Sequence, residues 1–107
     1  MRTVILSKRA AWKLEKLLSY LETAWSEKVR LNFIDKFDKS VKFVAQYPEA
    51  TEKSAVKAGL HRCVVTKQTT FYYLFNETKI QIVTIFDTRM DPARLIEETN
   101  IILNRRI

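Results

Sequence analysis

The residues best equipped for chemistry are few. A lone histidine, His61, sits beside Arg62, and Arg89 follows a long aliphatic run, with Lys57 and Lys67 placed between and around them. Metal-free cleavage of RNA requires one group to take the 2′-OH proton, another to protonate the leaving oxygen, and cations to hold charge on the phosphate. His61, Arg62 and Arg89 are the candidates for those roles only if the chain is a ribonuclease, and a two-histidine arrangement is excluded by the single His. Arg62 and Arg89 can also grip phosphate or carboxylate in bidentate fashion without any bond being broken. Lys57, Arg62, Lys67, Tyr72 and Arg89 therefore form a candidate binding set, in which Tyr72 could stack a base or line an apolar groove. Cys63 reads as a small apolar strand residue, and no internal disulfide can form. Asp87 and Asp91 lack a third ligand nearby, so neither a metal nor any other cofactor is expected.

Charge points to the kind of partner. Nineteen Lys plus Arg against twelve Asp plus Glu give a net charge of +7, which favours an anionic counterpart such as nucleic acid or an acidic protein. Between Lys53 and Asn76 the basic residues Lys53, Lys57, Arg62 and Lys67 occur with no acidic residue among them. No apolar stretch is long enough to span a bilayer and the N-terminus carries no signal-type segment, so a cytoplasmic protein without membrane contact is expected.

Positioning these residues falls to a short series of elements. Thr3-Val4-Ile5-Leu6 is β-branched and ends at Ser7, after which Ala10 or Ala11, Leu14, Leu17, Leu18, Leu21 and Trp25 recur at helical spacing. Ser7 is placed to cap that helix, and Ser26 a second one whose stripe reads Phe33, Ile34, Phe37, Val41 and Val44. Pro48 ends the second helix. Trp12 and Trp25 are read as packing within the core or the helical hairpin. After a polar connection and the sole glycine, Gly59, three strand-like segments follow at Leu60 to Thr66, Thr70 to Phe75 and Lys79 to Phe86, joined by tight antiparallel connections. Asp91-Pro92 marks a final helix start.

The 107 residues thus read as a single α+β domain: an N-terminal strand, an antiparallel helical hairpin, a three-stranded antiparallel meander completing a mainly antiparallel sheet, and a C-terminal helix. Helices on one face leave the other face free to remain wet, and that basic surface is where an anionic partner is expected. His61 reads as a partly exposed residue at the sheet margin.

The order of these pieces resembles the RelE/ParE superfamily of toxins from bacterial type II toxin-antitoxin systems, the plasmid stabilisation type. The resemblance is carried by Ser7-Lys8-Arg9-Ala10, Tyr47-Pro48-Glu49, Gly59 to Val65, Phe71-Tyr72-Tyr73, and Ile82 to Arg89 leading to Asp91-Pro92. It implies a small basic toxin restrained by a cognate acidic antitoxin. RelE-like members cut messenger RNA on the ribosome, whereas ParE-like members inhibit DNA gyrase. The ribonuclease branch usually places an Arg in the middle strand where this chain has Thr70, and a His or Tyr at the end of the last strand where it has Phe86 to Arg89. The expectation is a ParE-like inhibitor of growth. The alternatives are a metal-independent, ribosome-dependent mRNA endoribonuclease and an inactivated toxin acting only as a binding module.

Overall fold

A computed structural model describes residues 1–51 and 59–90. The elements are β1 (Thr3–Leu6), α1 (Lys8–Ala24), α2 (Glu27–Gln46), β2 (His61–Val64), β3 (Thr69–Phe75) and β4 (Lys79–Asp87). Both expected caps are in place. Ser7 Oγ accepts from the Ala10 amide at 3.0 Å, and Ser26 Oγ accepts from the Val29 amide at 3.1 Å, each satisfying a donor that the first helical turn leaves open. Ser7 also ties α1 to the sheet, because its hydroxyl donates to the Val83 carbonyl at 2.7 Å.

The four strands lie in the order β1-β4-β3-β2. The meander is antiparallel, whereas β1 runs parallel to β4 from Thr3↔Lys79 to Leu6↔Ile82, so the sheet is mixed. The helical hairpin and the first two meander strands separate β1 from β4, which is ample chain for a parallel return. A register shift at Tyr72/Tyr73 places Thr84 opposite Tyr72 and Ile82 opposite Tyr73, leaving Val83 as an extra residue in β4. Gly59 enters β2 with φ +87°, a backbone angle that side chains with a Cβ resist.

The helices cover one face of the sheet. Ala10, Leu17 and Leu21 of α1 and Phe33, Val44 and Ala45 of α2 meet Cys63, Phe71, Tyr73, Ile80, Ile82 and Ile85 in the main core. Strand alternation sends Leu60, Tyr72, Val83 and Phe86 into a second buried cluster, with Leu74 packed against it. The face expected to be wet and basic is thus apolar through its described centre, because β-branched and aromatic residues occupy both sides of β3 and β4. The two tryptophans also depart from expectation: Trp12 is 58% exposed and Trp25, the C-cap of α1, is 59% exposed. Trp12 lies two residues from buried Ala10, about 200° round the helix, and so points away from the core. The expected final helix from Asp91 falls outside the described residues, as do Lys53 and Lys57.

Candidate functional site

The structure takes the chemically suggestive residues in different directions. His61 is buried, 5% exposed, with its ring stacked on Tyr73 at 5.4 Å and set edgewise against Phe75 at 5.1 Å. Its placement corrects the expected marginal exposure, and the reason is strand phase: His61 and Cys63 share the face that the helices cover. The Nδ1 atom has no hydrogen-bond partner among the described residues. Among the described residues its surroundings are the rings of Tyr73 and Phe75, so the imidazole is packed and not presented at the surface.

Arg89 is engaged at close range. Its Nη2 donates to Asp87 Oδ2 at 2.7 Å and its Nε to Oδ1 at 3.0 Å, a two-pronged grip of guanidinium on carboxylate. The Arg89 amide donates to the same Oδ1 at 2.9 Å, and Thr69 Oγ1 donates to Oδ2 at 2.5 Å. The Asp87 side chain is only 1% exposed. Burial pushes its carboxyl pKa upward, but the hydrogen bonds from Arg89 and Thr69 outweigh that and hold it below the ordinary carboxylate value. The Arg89 guanidinium is correspondingly held more firmly protonated, chiefly by its hydrogen bond to Asp87. This cluster ties the end of β4 to the start of β3 on the helix-covered side.

Arg62 occupies a different place. It lies in β2, the edge strand, opposite Tyr72, and it alternates with the inward-facing His61 and Cys63. β3 stands between β2 and β4, so Arg62 and the Asp87 end of β4 are two strands apart, roughly 10 Å across the sheet. The three residues proposed for cleavage chemistry therefore do not converge: His61 is enclosed under the helices, Arg62 alternates with it in the same edge strand, and Arg89 is paired to a carboxylate beyond the end of β4. Tyr72 is 8% exposed and packs edgewise on Phe86 at 5.9 Å, so its ring lies in the second cluster. Lys67 is exposed in the turn between β2 and β3.

What the sheet edge does offer is a groove of about 430 Å³ between α2 and β2. Lys39, Ser40 and Phe43 line it from the helix, Arg62, Cys63 and Val64 from the strand, and Thr51 closes one end. Phe43 and Val64 are 47% and 55% exposed, an apolar pair flanked by the cations of Arg62 and Lys39. Lys39 also pairs with Asp35 at 2.9 Å on the helix surface. Burial pushes the Cys63 thiol pKa up, only partly offset by a hydrogen bond with Ser40, so the thiol is a packing element and not an activated nucleophile. The Tyr73 hydroxyl beneath the groove donates to the Pro48 carbonyl at 2.7 Å and is hydrogen-bonded to Thr51, pinning the chain after α2. Of the groove residues, sequence reasoning singled out Arg62 for binding and missed Phe43. Phe43 was signalled by an aromatic ring out of phase with the Phe33, Phe37, Val41, Val44 stripe.

An α+β fold of this shape, with its groove on the hairpin side, has known relatives. The sequence profile of the ParE toxin of the type II toxin-antitoxin system parDE matches residues 4–92, and the chain belongs to that family. No curated protein matches. Among solved structures, the chain is similar to one from a chromosomal ParDE toxin-antitoxin system of P. aeruginosa, with a TM-score of 0.68 and 15% identity over 81% of this chain and 96% of that one. It is similar also to a YoeB/ParE toxin from Agrobacterium tumefaciens, with a TM-score of 0.60 and 12% identity over 79% and 96% of the two chains. The E. coli toxin RelE, in the free state of an arginine-to-alanine mutant, gives a TM-score of 0.63 and 13% identity over 99% and 98%. At such identities these structures establish the shared fold. Among the described residues no helix is long and apolar enough to cross a membrane, and no cluster of three metal-ligating side chains occurs.

Proposed function

We propose that this toxin-family chain arrests growth by binding an essential target, DNA gyrase, in the cytoplasm, and that it does so without cutting RNA. One observation carries the reading: the Arg89 guanidinium is held by the buried Asp87 carboxylate at 2.7 Å, where a ribonuclease would need it facing a scissile phosphate. The enclosure of His61 points the same way, since general acid or base catalysis needs the proton donor within reach of the substrate.

The same reading assigns the α2–β2 groove to the antitoxin. Toxin-antitoxin family membership implies such a partner, and a groove with exposed Phe43 and Val64 beside Arg62 suits an acidic segment that orders on contact. Lys57 and Lys67 would add long-range attraction, with Arg62 as the anchoring cation. Tyr72 and Arg89 of the original binding set contribute by holding the sheet in shape.

Expression of the chain without antitoxin is expected to stop growth, and the purified protein to inhibit gyrase supercoiling while leaving ribosome-bound messenger intact. Codon-dependent cleavage of that messenger would overturn the proposal and favour the RelE-like alternative. An absence of any growth effect would instead favour a toxin fold retained as a binding module. For the groove, Arg62→Glu combined with Phe43→Ala is expected to weaken antitoxin capture by at least tenfold, on the order of one or two interface anchors. Unchanged affinity would remove the groove from the interface.

A further inference from the structure

The outer face of α1 carries a feature that neither the toxin reading nor the groove uses. Lys8, Trp12 and Lys16 follow one another at four-residue steps and all three are exposed. They form one stripe with successive side chains about 6 Å apart along the axis. Trp12 is 58% exposed, and the Lys16 ammonium sits 5.5 Å from the centre of its ring. From Lys8 to Lys16 the helix has four basic residues, Lys8, Arg9, Lys13 and Lys16, against a single acidic one, Glu15.

From this the geometry points to a contact for single-stranded nucleic acid on α1, in which a base stacks on Trp12 while Lys8 and Lys16 hold the phosphates on either side. Two considerations select that occupant. An indole left outside the core offers a flat π-face that any base can cover, and it is flanked by cations one turn before and one turn after, which matches the alternation of base and phosphate along a strand. A helical or extended protein segment would instead need several apolar contacts in a row. The stripe supplies one ring, with exposed Ala11, Glu15 and Ser19 around it. The contact is independent of the target proposed above, and it lies on a different element from the α2–β2 groove.

The test uses the full chain and an oligothymidylate of about 16 nucleotides, a length within the usual single-strand site size. In a Trp25→Phe background, where Trp12 is the only indole, binding is expected to quench the fluorescence. Affinity is expected to fall with salt by about 0.7 logarithmic units per decade for each phosphate contact. Lys8→Glu with Lys16→Glu should reduce that slope by about 1.4, and Trp12→Ala should cost on the order of tenfold in affinity with the slope retained. Both variants change exposed side chains, and an unchanged thermal midpoint confirms that they fold. Binding without quenching, or unaffected by Trp12→Ala, would overturn the stacking contact. Equal affinity for polyglutamate would overturn nucleic acid as the ligand, and equal affinity for duplex of the same length would overturn single-strand preference.

Discussion

The sheet and the helical layer use similar side chains in opposite ways. In the sheet, Tyr72, Tyr73, His61 and Asp87 are all buried, and the polar atoms of Asp87 and Tyr73 are committed to partners within the chain. On the helices, Trp12, Phe43 and a set of lysines stand in solvent. Among the described residues, His61 and Asp87 are thus enclosed in the sheet layer, while the most exposed aromatic rings, those of Trp12, Trp25, Phe43 and Tyr47, belong to the helices and their ends. The difference arises because the residues of β3 and β4 have a strand on either side and packing on both faces, whereas a surface helix must bury only one stripe.

Breaking the sheet side should have the largest effect. Phe71 is fully buried and packs edgewise on Phe37 at 5.7 Å, so Phe71→Ala is expected to cost about 3–5 kcal/mol in a chemical denaturation experiment. A loss near zero would mean that the two layers are not packed as described.

Next in size is Asp87→Asn, which leaves the Arg89 guanidinium beside a neutral amide and should cost about 3 kcal/mol. The Asp87 carboxyl pKa is lower in the folded chain than in the unfolded one. Its contribution is therefore complete above the unfolded carboxylate value of about 3.9 and is lost as pH falls through the lower folded value. Thermal midpoints measured from neutral to acid pH should drop for the parent chain, and the drop should be shallower for Asp87→Asn. Parallel curves would show that the pair contributes no pH-dependent stability.

The smallest effect sharpens the contrast from the other side. Phe43→Ala removes an aromatic ring that is 47% exposed and touches Tyr47 at 5.6 Å, so folding stability should change by no more than about 0.5 kcal/mol. A larger loss would place Phe43 in the core and take it out of the groove.

How much of this was legible follows the range of the interactions. The caps at Ser7 and Ser26, the stop at Pro48 and the three meander strands depend on residues within a few positions of one another, and periodicity with capping chemistry locates them. The parallel pairing of β1 with β4 joins residues more than seventy positions apart, from Thr3 to Lys79, and no local pattern encodes it. The burial of Tyr72 was hidden because alternation predicts a face without saying what covers it. Asp87 and Arg89 are only two residues apart, close enough in sequence to pair. That Asp87 is buried depends on Thr69, which only the β3–β4 register brings alongside.

The extra residue in β4 sets a phase that the whole strand end obeys. Ile80 and Ile82 face the helices on even numbers, and past Val83 the same side is taken by Ile85 on an odd one. Removing Val83 would leave Ile82 and Ile85 on the helix side with Thr84 between them on the other, so the faces would be kept while the bulge was lost, and with it the Val83 side chain of the second cluster and the Val83 carbonyl that accepts from Ser7 Oγ. The bulge thereby serves the junction of α1 with the sheet through a main-chain carbonyl, which a substitution at Val83 retains and a deletion removes.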